Sequence, residues 1–66
     1  MRLVKFVDAR AHVPVWVNPE DVTIVSSIKG HDDQACIYYG RDRLEIEGAP
    51  ADIVKRLLHP APDEEA

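Results

Sequence analysis

The sequence has a single cysteine, Cys36, among its 66 residues, and this excludes an intrachain disulfide. Its three histidines are scattered along the chain, whereas a structural zinc site takes several Cys and His residues at close spacing. A chain this short buries only about 60% of the surface that its unfolded form exposes. Small domains usually add a disulfide, a metal or a partner chain. We therefore predict no metal and no cofactor, and we expect the chain to associate with itself.

A surplus of basic residues is also missing. The formal net charge is −4, and residues 1–60 carry nine acidic against eight basic side chains. Proteins that bind nucleic acid without sequence specificity carry more basic than acidic residues, because contacts to phosphate supply most of their affinity. The charge therefore argues against nucleic acid as the partner.

No long apolar segment is present either. The opening stretch "MRLVKFVDAR" has an apolar run that is interrupted by Lys5 and Asp8, and this is typical neither of a signal peptide nor of a membrane span. A single cysteine suits a reducing compartment. We therefore expect a cytoplasmic protein that does not enter a membrane.

Alternating and β-branched residues predict five strands, at 2–7, 13–18, 22–28, 35–40 and 43–48. Pro14 cannot donate a ladder hydrogen bond, so the second strand should lie at an edge or carry a bulge. "NPEDV" predicts one helical or tight turn, and "KGHDDQ" predicts a polar loop before the fourth strand. The fold class is α+β: a small β-rich sheet, or a partly open barrel, of about five mostly antiparallel strands with one C-terminal helix.

The helix is predicted at residues 50–59, because Pro50 suits the first helical position and Pro60 ends the pattern. It presents one apolar stripe, formed by Ile53, Val54, Leu57 and Leu58. Lys55 and Arg56 fall on the opposite side. The helix could read a partner, but a lid over one sheet face accounts better for the stripe. We predict a single domain at 1–59 and a disordered acidic tail at 60–66.

Trp16 is the main candidate for an interface. Val13, Val15 and Val17 should face the core, and this turns Trp16 to the other side of an edge strand. Aromatic residues are enriched at interfaces, although Trp16 could instead pack under the "KGHDDQ" loop or against Pro14. The first and fourth strands are apolar on both faces. One helix can cover only one face of the sheet, so the other face should be left exposed. The candidate interface comprises Pro14, Trp16 and Tyr38.

The segment "YYGRDR" is the candidate for a nucleic-acid contact. Aromatic residues interleaved with arginine form the stacking platforms of single-stranded nucleic-acid binders, and the candidate residues are Tyr39, Arg41 and Arg43. The alternative is that the two tyrosines simply alternate across a strand while the arginines surround a turn. The missing basic surplus favours this alternative.

Catalytic chemistry has little support. The segment "GHDDQAC" places His31, Asp32, Asp33 and Cys36 within six residues, as in a metal site or a Cys–His pair. Solvated loop acids and a buried strand cysteine explain it more simply. A catalytic site needs an oriented nucleophile or acid–base pair in a pocket, and we predict no catalytic residue and no enzyme. A site shared between subunits stays open.

The two segments "MRLVKFVDARAHVPVWVNPEDVTIV" and "CIYYGRDRLEIEGAPADIVKRLL" resemble the small flagellar and swarming-motility protein family, FlbD-like. The likeness spans about residues 1–58 and consists mainly of hydrophobic pattern. Ala49 stands where that family has a capping serine. The resemblance implies an accessory role in motility through protein contacts, with no catalytic residues. We therefore expect a small interaction or accessory protein that acts as a homo-oligomer. One alternative is a regulator that binds nucleic acid through an oligomeric surface formed by Tyr38, Tyr39, Arg41 and Arg43. The other is an oligomer with a ligand site between subunits.

Overall fold

The computed structural model describes residues 2–59 and confirms five mostly antiparallel strands followed by one C-terminal helix. The elements, in chain order, are β1 (Val4–Val7), β2 (Pro14–Val17), a 3-10 turn (Pro19–Asp21), β3 (Val22–Ile28), β4 (His31–Tyr39), β5 (Asp42–Glu47) and α1 (Pro50–Leu58). The 3-10 turn forms where "NPEDV" predicts it, because the Asn18 side chain accepts a hydrogen bond from Glu20 N and Pro19 occupies the first turn. The predicted tail at 60–66 lies outside the described residues.

The strands form two sheets that are joined at one point. β1 and β2 make an antiparallel hairpin, and β3, β4 and β5 make an antiparallel meander. An isolated bridge between Asp8 and Ile46 links the sheets, and Ala9 N donates to Glu45 O at 2.9 Å. Within residues 2–59, β2 pairs only with β1 and β3 only with β4. The sheets therefore do not close into a barrel, and the open sheet is the form observed.

The core lies between the hairpin, the meander and the helix. Its fully buried side chains come from four elements: Val4, Phe6, Ala35, Ile37, Ile46 and Ile53. Val15 and Val17 of β2 and Leu44 of β5 pack against this cluster and are half-buried. Burying one large aliphatic or aromatic side chain contributes about 1.5–3 kcal/mol. A cluster this small therefore leaves little stability in reserve.

The helix covers the core with a narrower face than the sequence predicts. Ile53 is 1% exposed and Leu57 packs against the core, but Val54 is 40% and Leu58 69% exposed. The inclusion of Val54 and Leu58 in the buried stripe is wrong. Each lies one residue beyond Ile53 or Leu57, which turns it about 100° around the helix. The short helix contacts β3 and β4, and Ile53 and Leu57 are the helix residues that belong to the core or pack against it.

Arg56 lies on the side of α1 that faces the core, where the sequence predicted only apolar side chains. Its guanidinium carbon lies 4.6 Å from the centroid of the Phe6 ring, and its Nη2 donates to Lys5 O at 2.6 Å. The prediction that Arg56 lies on the solvent side is therefore wrong. A long stem with a flat, cationic end lets Arg56 pack on an aromatic core residue while it satisfies a strand carbonyl.

The connection before β4 is shorter than predicted. Lys29 and Gly30 alone form the turn, with Gly30 at φ 84°, and β4 begins at His31. The polar residues that follow are held in the sheet by backbone pairing: Gly48 N donates to Asp33 O at 2.7 Å, and Gln34 lies opposite Glu47. Their polarity reflects exposure rather than loop structure, because His31, Asp32 and Asp33 all face solvent.

Candidate interaction surface

The unpaired edge of the hairpin contains two of the three candidate interface residues, Pro14 and Trp16. Along β2, Pro14 and Trp16 are exposed, whereas Val15 and Val17 are half-buried against the core. Trp16 is 55% exposed and lies opposite Lys5 of β1. Within β2 the alternation is as predicted, with Val15 and Val17 inward and the indole outward. Val13 lies just before the strand and is 47% exposed, so the prediction that it faces the core is wrong. β2 is an edge strand in the described part of the chain, as Pro14 indicated.

A cleft of about 490 Å³ opens beside this strand. Apolar side chains from the hairpin and from the meander form most of its walls: Leu3, Val15, Val17, Tyr39 and Leu44. Trp16 also lines it, together with two polar residues of the following turn, Asn18 and Asp21. Within residues 2–59 the sheets are bridged at Asp8 and Ile46, and the cleft lies toward the other end of the hairpin, beside Leu3 and Val17. An apolar cleft with few polar groups is the usual form of a binding site.

Tyr38, the third candidate interface residue, lies elsewhere. It is half-buried on the face of β4 that points away from the core, in register with Ile24 of β3 and Arg43 of β5. Ile24 is 55% exposed. Trp16 and Tyr38 thus belong to different sheets, and the tyrosine that shares the cleft with Trp16 is the neighbouring Tyr39.

The residues nominated for nucleic acid do not share one face. Tyr39 lines the cleft on the core side of the meander, whereas Arg43 stands beside Tyr38 on the opposite face. Arg41 lies in the two-residue turn between β4 and β5, next to Gly40 at φ 58°. The alternation of a strand separates Tyr39 from Arg43, so these residues do not build a continuous stacking platform.

The polar residues near Cys36 do not assemble into a reactive group. Cys36 is a buried free thiol on the outer face of β4, between Ser26 and Glu45 of the adjacent strands. Structural buried cysteines are inert, whereas reactive ones are partly exposed in an electropositive setting. Across residues 2–59 no group of three or more His, Cys, Asp or Glu side chains is placed to hold a metal ion.

Asp8 is a structural residue that the sequence interpretation missed. Its Oδ1 accepts from Arg10 N at 2.7 Å and from Ala11 N at 2.9 Å, and its carbonyl accepts from His12 N. These two backbone donors to the carboxylate hold the pKa of Asp8 below its ordinary value. The available signal was an Asp at the first position of a turn that has no glycine. His12 supplies the left-handed residue instead, at φ 58°.

An ion pair and a hydrogen bond connect the same turn to β5. Arg10 Nε lies 3.1 Å from Glu45 Oε1, and His12 Nδ1 lies 3.1 Å from Glu47 Oε2. The Arg10 and His12 side chains are well exposed, so each contact adds little to stability. Their effect is to place the turn of the hairpin on the last strand of the meander, at the end of the molecule where the two sheets are joined.

Comparison with protein-family models found no match, and neither did searches of curated proteins or of solved structures. The likeness to the FlbD-like family therefore stays a prediction from the sequence. No helix among the described residues is long and apolar enough to cross a membrane.

Proposed function

We propose that this chain is a small, non-enzymatic interaction protein of the cytoplasm that acts as a homo-oligomer. The exposed indole of Trp16, beside an apolar cleft and on an edge strand, carries the proposal. A tryptophan contributes a large contact area at a small cost in side-chain entropy, and it is among the residues that dominate binding energy at interfaces.

The distribution of apolar surface supports association over a monomeric role. Among residues 2–59, five large apolar side chains are at least 40% exposed: Val13, Trp16, Ile24, Val54 and Leu58. Single exposed apolar residues are ordinary. Trp16 differs because it lies on an unpaired strand edge and also lines the mostly apolar cleft.

A role in motility is the more specific form of this proposal, and it rests on the FlbD-like resemblance alone. It predicts that the gene lies among flagellar or swarming genes and that its deletion changes motility. The nucleic-acid alternative has one structural feature in its favour, the shared face of Tyr38 and Arg43. Binding to a polyanion through that face would weaken steeply with added salt, whereas apolar self-association would not.

The test is the molar mass of the full chain by light scattering, from about 10 μM to about 1 mM. We expect a mass that rises above 7.4 kDa with concentration, and we expect Trp16→Glu to return it toward the monomer. Ile24→Glu is the matched control, because Ile24 has the same 55% exposure on the other sheet. A monomer throughout the range would refute self-association. An oligomer that is lost with Ile24→Glu and kept with Trp16→Glu would move the contact to the meander.

A further inference from the structure

The hydrogen-bond register of the hairpin shows which backbone groups of β2 point away from β1. Asp8 N donates to Val13 O at 2.8 Å, and β1 and β2 pair with Val4 opposite Val17 and Phe6 opposite Val15. In an antiparallel ladder the pairs that exchange hydrogen bonds alternate with pairs that do not. Residues 13, 15 and 17 therefore bond toward β1. Pro14 and Trp16 direct their backbone groups to the open edge.

This edge offers very few groups. Pro14 has a carbonyl and no N–H, so Trp16 is the one residue of β2 that presents both a donor and an acceptor there. Asn18, the next residue of the same parity, is still extended at φ −80° and ψ 115°. An unpaired strand edge is a template for another strand. β2 is four residues long, and together with the extended Asn18 its edge is centred on Trp16.

We propose that β2 of one copy pairs antiparallel with β2 of a second copy, about a two-fold axis that passes beside Trp16. This inference rests on the proposed homo-oligomer and specifies its contact. The two Trp16 residues exchange N–H to C=O bonds with each other. Asn18 N of each copy donates to Pro14 O of the other, and the result is a four-stranded sheet in the order β1–β2–β2–β1.

The side chains on both faces fit the same arrangement. Residues that exchange both hydrogen bonds lie with Cα atoms about 5.5 Å apart, so the two exposed indoles face each other on one side of the new sheet. Aromatic cross-strand pairs are favourable. On the other side, the Val15 and Val17 side chains of the second copy extend the apolar wall of the cleft. One contact thus covers the indole and lengthens the cleft.

A second copy suits this edge better than a foreign strand does. With a two-fold axis at Trp16, the N–H and C=O of Trp16, the C=O of Pro14 and the N–H of Asn18 each form one hydrogen bond to the other copy. Because Pro14 has no N–H, each copy forms one hydrogen bond fewer than a regular strand would. A longer foreign strand gains no further partners, because the edge ends at the turn between β1 and β2 on one side and at the 3-10 turn on the other. The pairing is also closed, so it gives a dimer and not a fibre.

The size of the contact sets the expected affinity. A standard interface buries about 800 Å² per partner, which would be about one sixth of the 4735 Å² surface. A four-residue edge with one indole covers less than that. We therefore expect a dimer that dissociates in the micromolar range or above, and the experiment has to span that range.

Amide hydrogen exchange of the full chain, measured by NMR at several concentrations, tests the pairing directly. In the monomer the Trp16 amide points to solvent and should exchange fast, whereas pairing should slow it in proportion to the dimer fraction. The Val15 amide is the internal control, because it bonds toward β1 and should be protected at every concentration. A synthetic chain with an N-methyl group on Trp16 keeps the indole and loses the donor, and it should dimerise about tenfold more weakly or worse.

Each outcome separates the two proposals. Concentration-dependent protection at Trp16, with weaker dimerisation after N-methylation, supports the strand pairing. A dimer by mass in which the Trp16 amide stays unprotected would refute the pairing and leave the homo-oligomer intact. A monomer at all concentrations would refute both. If the N-methylated chain keeps the Val15 protection and dimerises as strongly as the unmodified chain, the backbone contact is wrong and only the indole matters.

Discussion

Replacing Ile53 by alanine should be among the most damaging single changes in the helix. Ile53 is 1% exposed, and it packs so closely that a Cβ built on Gly48 would lie 3.4 Å from its Cγ1. Truncating a buried Ile to Ala costs about 2–5 kcal/mol, because the surroundings collapse only partly into the space that is left. At about 0.05–0.15 kcal/mol per residue, a 66-residue chain holds only about 3–10 kcal/mol in total.

The matched control is Leu58→Ala on the same helix. Leu58 is 69% exposed, so its truncation should change the free energy of unfolding by less than about 0.5 kcal/mol. Both variants remove aliphatic carbons from a helix and both introduce alanine, the best helix former. The difference between them therefore reports burial rather than helix propensity.

The assay is urea unfolding followed by the fluorescence of Trp16, with thermal unfolding by circular dichroism. For Ile53→Ala we expect a lower urea midpoint with little change in slope. We also expect a melting temperature at least about 8 °C lower, since 1 kcal/mol shifts a domain of this size by about 4–8 °C. If Leu58→Ala were as damaging as Ile53→Ala, the exposed side of the helix would be covered and the assignment of its faces would be wrong.

Two further changes test the turn and the start of the helix. Ala49 is the N-cap of α1 and makes no side-chain hydrogen bond, so Ala49→Ser should raise the free energy of unfolding by about 0.5–2 kcal/mol, while Ala49→Val should give no gain. Because the pKa of Asp8 is lowered in the fold, its ionised form stabilises the protein above the unfolded pKa of about 3.9, and this contribution is lost as the pH falls through the folded value. Asp8→Ala should therefore have a lower free energy of unfolding than the natural chain at pH 7, and this difference should shrink below about pH 4. Asp8→Asn should lose less stability because it keeps an acceptor oxygen. A difference between Asp8→Ala and the natural chain that stayed constant with pH would contradict this role for the carboxylate.

Local patterns in the sequence determined the elements and their order. The strand alternation of β2 placed Val15 and Val17 inward and Trp16 outward, because successive side chains in a strand point to opposite faces. Asn18-Pro19 and Pro50 marked the starts of the two helical segments, because a capping side chain and a fixed φ act within one turn. Strand alternation, capping and the fixed φ of proline depend only on residues that are neighbours in the chain, so they can be predicted from the sequence alone.

Tertiary structure decided which side of each element is covered. Val54 and Leu58 look like core residues on a helical wheel, but their burial depends on how the helix is rotated over β3 and β4, and the contact of Arg56 with Phe6 is part of that packing. The cleft depends likewise on where the two sheets join, since the bridge of Asp8 to Ile46 brings residues 38 positions apart together. The separation of Trp16 from Tyr38 follows from the same join. Contacts between distant segments are set by the packing of whole surfaces, and no local pattern records them.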